Sequence, residues 1–209
     1  AEDRLAAAVE RGVTQCVVLG AGYDTFAFRQ PEWARTIRVI EIDQPASQAQ
    51  KRAHLAATGI EMPGNVTLAS VDFERESLRD GLVRHGISLL EPTFFSWLGV
   101  TMYLTEAAVS AVLRTVAAFR PGSEIVFTFS PPGEPPAPEA GPSLAERAAA
   151  VGEPWISYFE PEYLDRKLRT FGFRTVEFLT PEQSGARYFR DRADRLPVPR
   201  RTTMVSAVR

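Results

Sequence analysis

Val17 to Arg29 reads VVLGAGYDTFAFR, an apolar β-branched run that breaks at Gly20 and Gly22. Two glycines at such a break let the chain turn tightly and leave no side chain between the main chain and a ligand. Twenty-one residues beyond Gly22, the run VIEID ends in Asp43, a carboxylate with enough acceptor capacity for both hydroxyls of a ribose. Glu41 points the same way along that extended run but one layer deeper, so it stands in reserve for the same task. LASVDF then brings Asp72, an acceptor for an adenine amino group, and Phe73, an aromatic surface beside the ring. Taken singly, Gly20 and Gly22 also read as a plain turn, and Asp72 as a cap before ERESL. Taken in order, they read as a nucleoside-binding edge.

The dinucleotide fingerprint G-x-G-x-x-G requires a third glycine where this chain has Thr25, which argues against a pyrophosphate. A ribose and an adenine without pyrophosphate point to S-adenosyl-L-methionine. The methyl on its sulfonium is already electrophilic, so the protein has mainly to align an acceptor oxygen and keep water out. A carboxylate acceptor is ionised at neutral pH and needs no base. That suits a chain whose two histidines, His54 and His85, fall on helical stretches away from the strand tips. In GVTMYLT, Thr101 and Tyr103 follow the fourth strand and are expected to orient the acceptor, with a staple at the next helix start as the competing reading. Trp155, Tyr158 and Phe159 in EPWISYFEPEYL wall an acceptor pocket or pack the core. Cys16 is the only cysteine, so no internal disulfide forms and, with two histidines, no Cys/His zinc site is expected.

Short apolar runs at 15–19, 36–42, 66–71, 93–98 and 124–130 predict five strands. Between them Ala46, Ala49, Ala53 and Ala56 form a small-residue helical face behind Pro45, 78–85 reads as a weaker helix, and Val109, Val112, Leu113, Val116 and Phe119 form a stronger stripe after Thr105. Ahead of them, 5–9 reads as a helix end stopped by Gly12. Alternation of strand and helix predicts an α/β fold with a parallel sheet covered on both faces, whose ligands sit beyond the strands' carboxyl ends. A proline-rich stretch at 130–144 predicts an exposed loop, and 130–160 a lid inserted in one domain spanning 1–209. A helix at 161–171 and strands at 174–179 and 203–208 close the chain. With no clear crossover helix between these last strands, though 188–195 offers a short one, they are expected to pair antiparallel at the sheet edge.

Twenty-four basic against 26 acidic residues give a formal charge of −2, and no global attraction to nucleic acid or anionic membrane. The cluster Arg187, Arg190, Arg192, Arg195, Arg200 and Arg201 is interleaved with Asp191 and Asp194 and reads as a solvated face, with an RNA substrate as the minor alternative. No run approaches the length of a membrane span, and a cytoplasmic enzyme acting on a small molecule is the expectation.

VVLGAGYDTFAFR, VIEIDQPASQAQKR, SVDFE and FFSWLGVTMYLT, in this order and spacing, resemble the leucine carboxyl methyltransferase-like family of class I S-adenosylmethionine-dependent methyltransferases, most of all its bacterial branch. The resemblance implies a Rossmann-like, seven-stranded, mostly parallel sheet with a reversed last strand. It implies cofactor contacts at Asp43, Asp72 and Phe73, and loosely matches Arg29 to a basic position near the cofactor's methionine end. Members of the family carry a further helical segment before the first strand, and this chain, which starts at Ala1, has little before Leu5. A longer product is therefore expected. Two rivals to an O-methyltransferase are a cofactor-binding module without turnover and a nicotinamide-dependent oxidoreductase.

Overall fold

The computed structural model describes residues 1–72, 76–133, 144–194 and 196–209. Helix α1 (Glu2–Glu10) precedes strand β1 (Gln15–Leu19); β2 (Arg38–Asp43), α2 (Pro45–Thr58), β3 (Val66–Ser70), α3 (Leu78–Arg84), β4 (Thr93–Trp97), α4 (Glu106–Ala117) and β5 (Glu124–Thr128) follow. The remainder is α5 (Leu144–Ala150), α6 (Pro161–Thr170), β6 (Thr175–Phe178), α7 (Pro181–Ser184) and β7 (Met204–Val208). The strands form one sheet in the order β3-β2-β1-β4-β5-β7-β6. β7 runs antiparallel to both β5 and β6, whereas the pairs from β3 to β5 are parallel. This is the mostly parallel seven-stranded sheet with a reversed last strand. The last strand is not at the rim: it inserts between β5 and β6, leaving β6 as the edge.

Both sheet faces are covered, which is why the central strands read as continuous apolar runs. Val17, Leu19, Phe95, Trp97, Ile125 and Phe127 point to the face packed by α3, α4 and α6, where the predicted stripe of α4 is buried together with Leu164 and Leu168. Phe95 meets Phe119 edge-on at 4.9 Å, a favoured quadrupole geometry. Cys16, Val18, Phe94 and Val126 point to the other face, against Leu5 and Ala8 of α1. Burial there pushes the Cys16 thiol up, and the residue is core filling. Helix starts follow local chemistry: the side-chain oxygens of Ser77 and Thr105 accept the amides of Asp80 and Ala108, and Pro45 and Pro161 open α2 and α6.

Three elements depart from the sequence reading. The alanine face of α2 looks outward, and its buried side is polar, formed by Gln48 and Lys51. Helical residues near the end lie at 181–189, where α7 runs into a single π turn at Gly185–Phe189, so of the expected 188–195 only the first two residues are helical among the described ones. Thr180 and Gln183 cap that segment reciprocally, a signal stronger than the charge pattern. Finally, the proline-rich stretch gives way to α5, although its residues 134–143 lie outside the described ones. No α-helix fills the first crossover, between β1 and β2; two short 3₁₀ turns, Phe26–Phe28 and Glu32–Thr36, take its place.

Candidate cofactor site

Strand order reverses between β1 and β4, the place where sheets of this kind hold a ligand crevice beyond the strands' carboxyl ends, and Gly20 follows β1 there. Gly20 takes φ +65°, and a Cβ there would stand 2.6 Å from Val100 of the β4–α4 loop. Its glycine is needed for conformation and for close packing. Gly22 differs: at φ +44° it has nothing within 4 Å of where a Cβ would be, so the main chain lies bare to a ligand. The two glycines thus divide the tasks the sequence assigned to both. Asp43, half-buried at the tip of β2, accepts the Gly22 amide at 2.5 Å on Oδ2 and the Gln44 amide at 2.7 Å on Oδ1. One carboxylate therefore fixes the turn, is itself fixed, and retains lone pairs for further donors. The Ala21 amide donates to the Ile42 carbonyl at 3.0 Å, which stitches turn and strand together.

Glu41 does lie one layer deeper, and the depth changes its role. It is wholly buried, and Lys51, 4% exposed, donates to its Oε2 at 2.5 Å and to the Asp24 carbonyl at 2.8 Å. Burial pushes the Glu41 carboxyl above the usual carboxylate range, and the Lys51 hydrogen bond pulls it back. Glu41 is thus committed to a buried ion pair. Lys51 is the residue that sequence reasoning missed. Its available signal was Glu41 itself, because a carboxylate expected inside a sheet demands a counter-charge.

Asp72 sits two residues past β3, half-buried, and its carbonyl accepts the Glu76 amide at 2.9 Å. Phe73 lies outside the described residues. Arg29 leaves the turn and pairs through both terminal nitrogens with Glu2 of α1, while its Nε donates to Thr25 at 3.0 Å. Beyond β4, Tyr103 is 38% exposed, whereas Thr101 is fully buried and donates its hydroxyl to the Thr128 carbonyl at 2.7 Å. Through that bond Thr101 couples the β4 and β5 loops. Replacing it with Val should cost about 1 kcal/mol in chemical denaturation, and an unchanged midpoint would show that the bond adds nothing to stability. His54 comes nearer to the crevice than its chain position suggests, with its ring edge-on to Tyr23 of the turn at 5.4 Å. Ile156 and Ser157 hydrogen-bond the Met102 carbonyl, so the Trp155–Phe159 segment straps across the loop that carries Tyr103.

In the arginine-rich segment, Arg192 pairs with Asp194, whose carboxyl is held at about 2, and Arg201 donates to the Pro132 carbonyl. Among the described residues, no group of three or more His, Cys, Asp or Glu side chains is placed to hold a metal ion, and no helix is long and apolar enough to cross a membrane.

The sequence and the fold find matches among known proteins. YktD of Bacillus subtilis, provisionally named an S-adenosyl-L-methionine-dependent methyltransferase, is 35% identical over 191 residues, which cover 88% of this chain and 62% of YktD. The chain spans about half the length of mycobacterial relatives bearing the same provisional name. Among solved structures, a provisionally named methyltransferase from Thermobifida fusca superposes with a TM-score of 0.62 at 22% identity, covering 96% of this chain and 74% of that one. Human N-acetylserotonin methyltransferase, solved with S-adenosylmethionine, gives 0.57 at 14% identity, covering 94% and 47%. Residues 1–117, more than half of the chain and the part that builds the glycine turn, Asp43, Asp72 and Tyr103, match the leucine carboxyl methyltransferase family, and to that family this chain belongs.

Proposed function

We propose that the protein is an S-adenosylmethionine-dependent O-methyltransferase acting on a carboxylate or another oxygen of a small acceptor. The observation that carries this reading is the Gly22–Asp43 contact, which joins a bare glycine turn and a ribose-seeking carboxylate into one unit at the switch point of the sheet. The residues fit the cofactor. Asp43 would take the ribose hydroxyls, the main chain of Gly20–Gly22 would approach the sugar and the methionine portion, and Asp72 would take the adenine amino group. A dinucleotide fits poorly, because the first crossover has no α-helix whose N-terminus would face a pyrophosphate.

When bound, the cofactor supplies an electrophilic methyl on a sulfonium. The chain's own part is orientation: Tyr103, 38% exposed on the loop whose Val100 stands against Gly20, would align the acceptor, and the strap at Trp155–Phe159 holds that loop through the Met102 carbonyl.

Calorimetric titration with S-adenosylhomocysteine, set against a nicotinamide dinucleotide, tests the reading. Micromolar binding of the former and none of the latter is expected, followed by transfer of labelled methyl to small carboxylic acids. Preference for the dinucleotide would overturn the cofactor assignment; labelling of nitrogen acceptors alone would overturn the acceptor.

A further inference from the structure

We propose that Lys51 is a positioning residue of the cofactor site: clamped by Glu41, its ammonium holds the Asp24 carbonyl and thereby sets the Gly20–Asp24 turn. The inference rests on the cofactor reading above and deepens it, since Lys51 itself does not line the crevice.

The first crossover is the starting point. Eighteen residues separate β1 from β2, and in place of a helix there are two 3₁₀ turns. A crossover helix would hold the glycine turn by burying an apolar stripe on the sheet. The two 3₁₀ turns do bury Phe26, Ala27 and Ala34, but within Gly20–Asp24 only Ala21 is buried, so the rest of that turn depends on discrete tethers. Those from the main chain and Asp43 act at its first half: Ala21 to Ile42, Gly22 to Asp43 and, closing the loop on itself, Asp24 to the Ala21 carbonyl at 2.7 Å. The second half is reached from α2. Lys51 crosses beneath the turn, donates to the Asp24 carbonyl at 2.8 Å, and lies 5.6 Å from the Phe28 ring centroid.

Such a lysine has to be paired and aimed inside a dry layer. Glu41 does both at 2.5 Å, and it is aligned in turn by its place on β2, opposite Val18 of β1, while Gln48 donates to the Glu41 carbonyl at 3.0 Å. One side chain, Lys51, thus bridges two tasks, charge neutralisation of Glu41 and anchorage of Asp24. Two apolar residues in place of the pair would satisfy the first and abandon the second, because a buried ion pair is energetically replaceable by hydrophobic side chains of similar volume. That separation makes the role testable.

Three forms of the whole chain are compared: wild type, Lys51→Met, and Glu41→Leu with Lys51→Met. Amide hydrogen exchange reads the turn without any ligand. In both variants the amides of Ala21, Gly22, Asp24 and Phe28 should exchange about tenfold faster or more, with those of Val17–Leu19 and Phe95–Trp97 unchanged in the double variant. Equal acceleration of turn and strands there, or none in the turn, would overturn the proposal. Titration with S-adenosylhomocysteine reads the consequence. Lys51→Met should bind about tenfold more weakly, and the double variant should stay as weak although its melting temperature returns towards wild type. Affinity that recovers with the melting temperature would reduce Lys51 to a structural residue. Failure of wild type itself to bind would overturn the cofactor reading instead, and the exchange pattern would then decide the tether on its own.

Discussion

Asp43→Ala is expected to weaken S-adenosylhomocysteine binding about a hundredfold or more, while Asp43→Asn weakens it about tenfold. The difference follows from the two acceptor atoms. As aspartate, the side chain holds the Gly22 amide with Oδ2 and the Gln44 amide with Oδ1, and keeps lone pairs on both oxygens for the ribose. Hydrogen bonds to a charged acceptor contribute about 1.5–3 kcal/mol each. Losing those to two hydroxyls is therefore worth about 3–6 kcal/mol, against 1.4 kcal/mol per tenfold. Asn retains one acceptor oxygen, for the turn or for the sugar but not for both at full strength. Ala also frees the Gly22 amide, which is only half-buried and can turn to water, so unfolding should shift by about 1–2 kcal/mol at most. Calorimetry and thermal unfolding on the same samples separate the two effects. An affinity that tracks the melting temperature, or an alanine variant that binds as tightly as wild type, would remove Asp43 from the site.

How much of this was legible in the sequence depends on which forces each element answers to. β1 and β4 were plain because strands buried on both faces must be apolar at every position, and QCVVL and TFFSW are close to that. The meeting of Asp43 with the glycine turn was legible because a carboxylate at the tip of the strand next to such a turn is within reach of its bare amides. The place of β7 was not legible: the same MVSAV run would pair as well at the rim, and only the filled sheet decides that it enters between β5 and β6. α2 misled for a definable reason. Its alanines are the periodic apolar residues, yet the demand of Glu41 for a buried counter-charge outweighs what burying four methyl groups would contribute, and it turns Lys51 inward. Thr101 carries a bond the sequence does not show, since its hydroxyl is taken by the Thr128 carbonyl on the next strand.

The same logic of buried charge makes the second large prediction, at Glu124. This residue opens β5 with no exposure, yet its carboxylate accepts from Arg4 Nε at 2.6 Å, Arg11 Nη2 at 2.5 Å and the Ser206 hydroxyl at 2.8 Å. The two guanidinium side chains are 33% and 48% exposed. The cluster is therefore lopsided: its acid cannot reach water, and its bases can. Arg4→Met with Arg11→Met should cost about 3–5 kcal/mol in chemical denaturation, because Glu124 is left buried with a single hydroxyl. Glu124→Met alone should cost less, about 1–2 kcal/mol, since the freed arginines swing into solvent. All three changes together should come close to wild type. The opposite order, with the acid costing more than the bases, would mean that the cluster is wetter than its burial implies. The consequence reaches the cofactor edge, because α1 carries both Arg4, which docks the helix on β5, and Glu2, which holds Arg29 at the end of the first 3₁₀ turn, four residues beyond Thr25. Loosening α1 through the double arginine change should therefore weaken S-adenosylhomocysteine binding as well, and the triple variant, stable but without the ionic dock, shows whether packing of Leu5 and Ala8 alone keeps Glu2 within reach of Arg29.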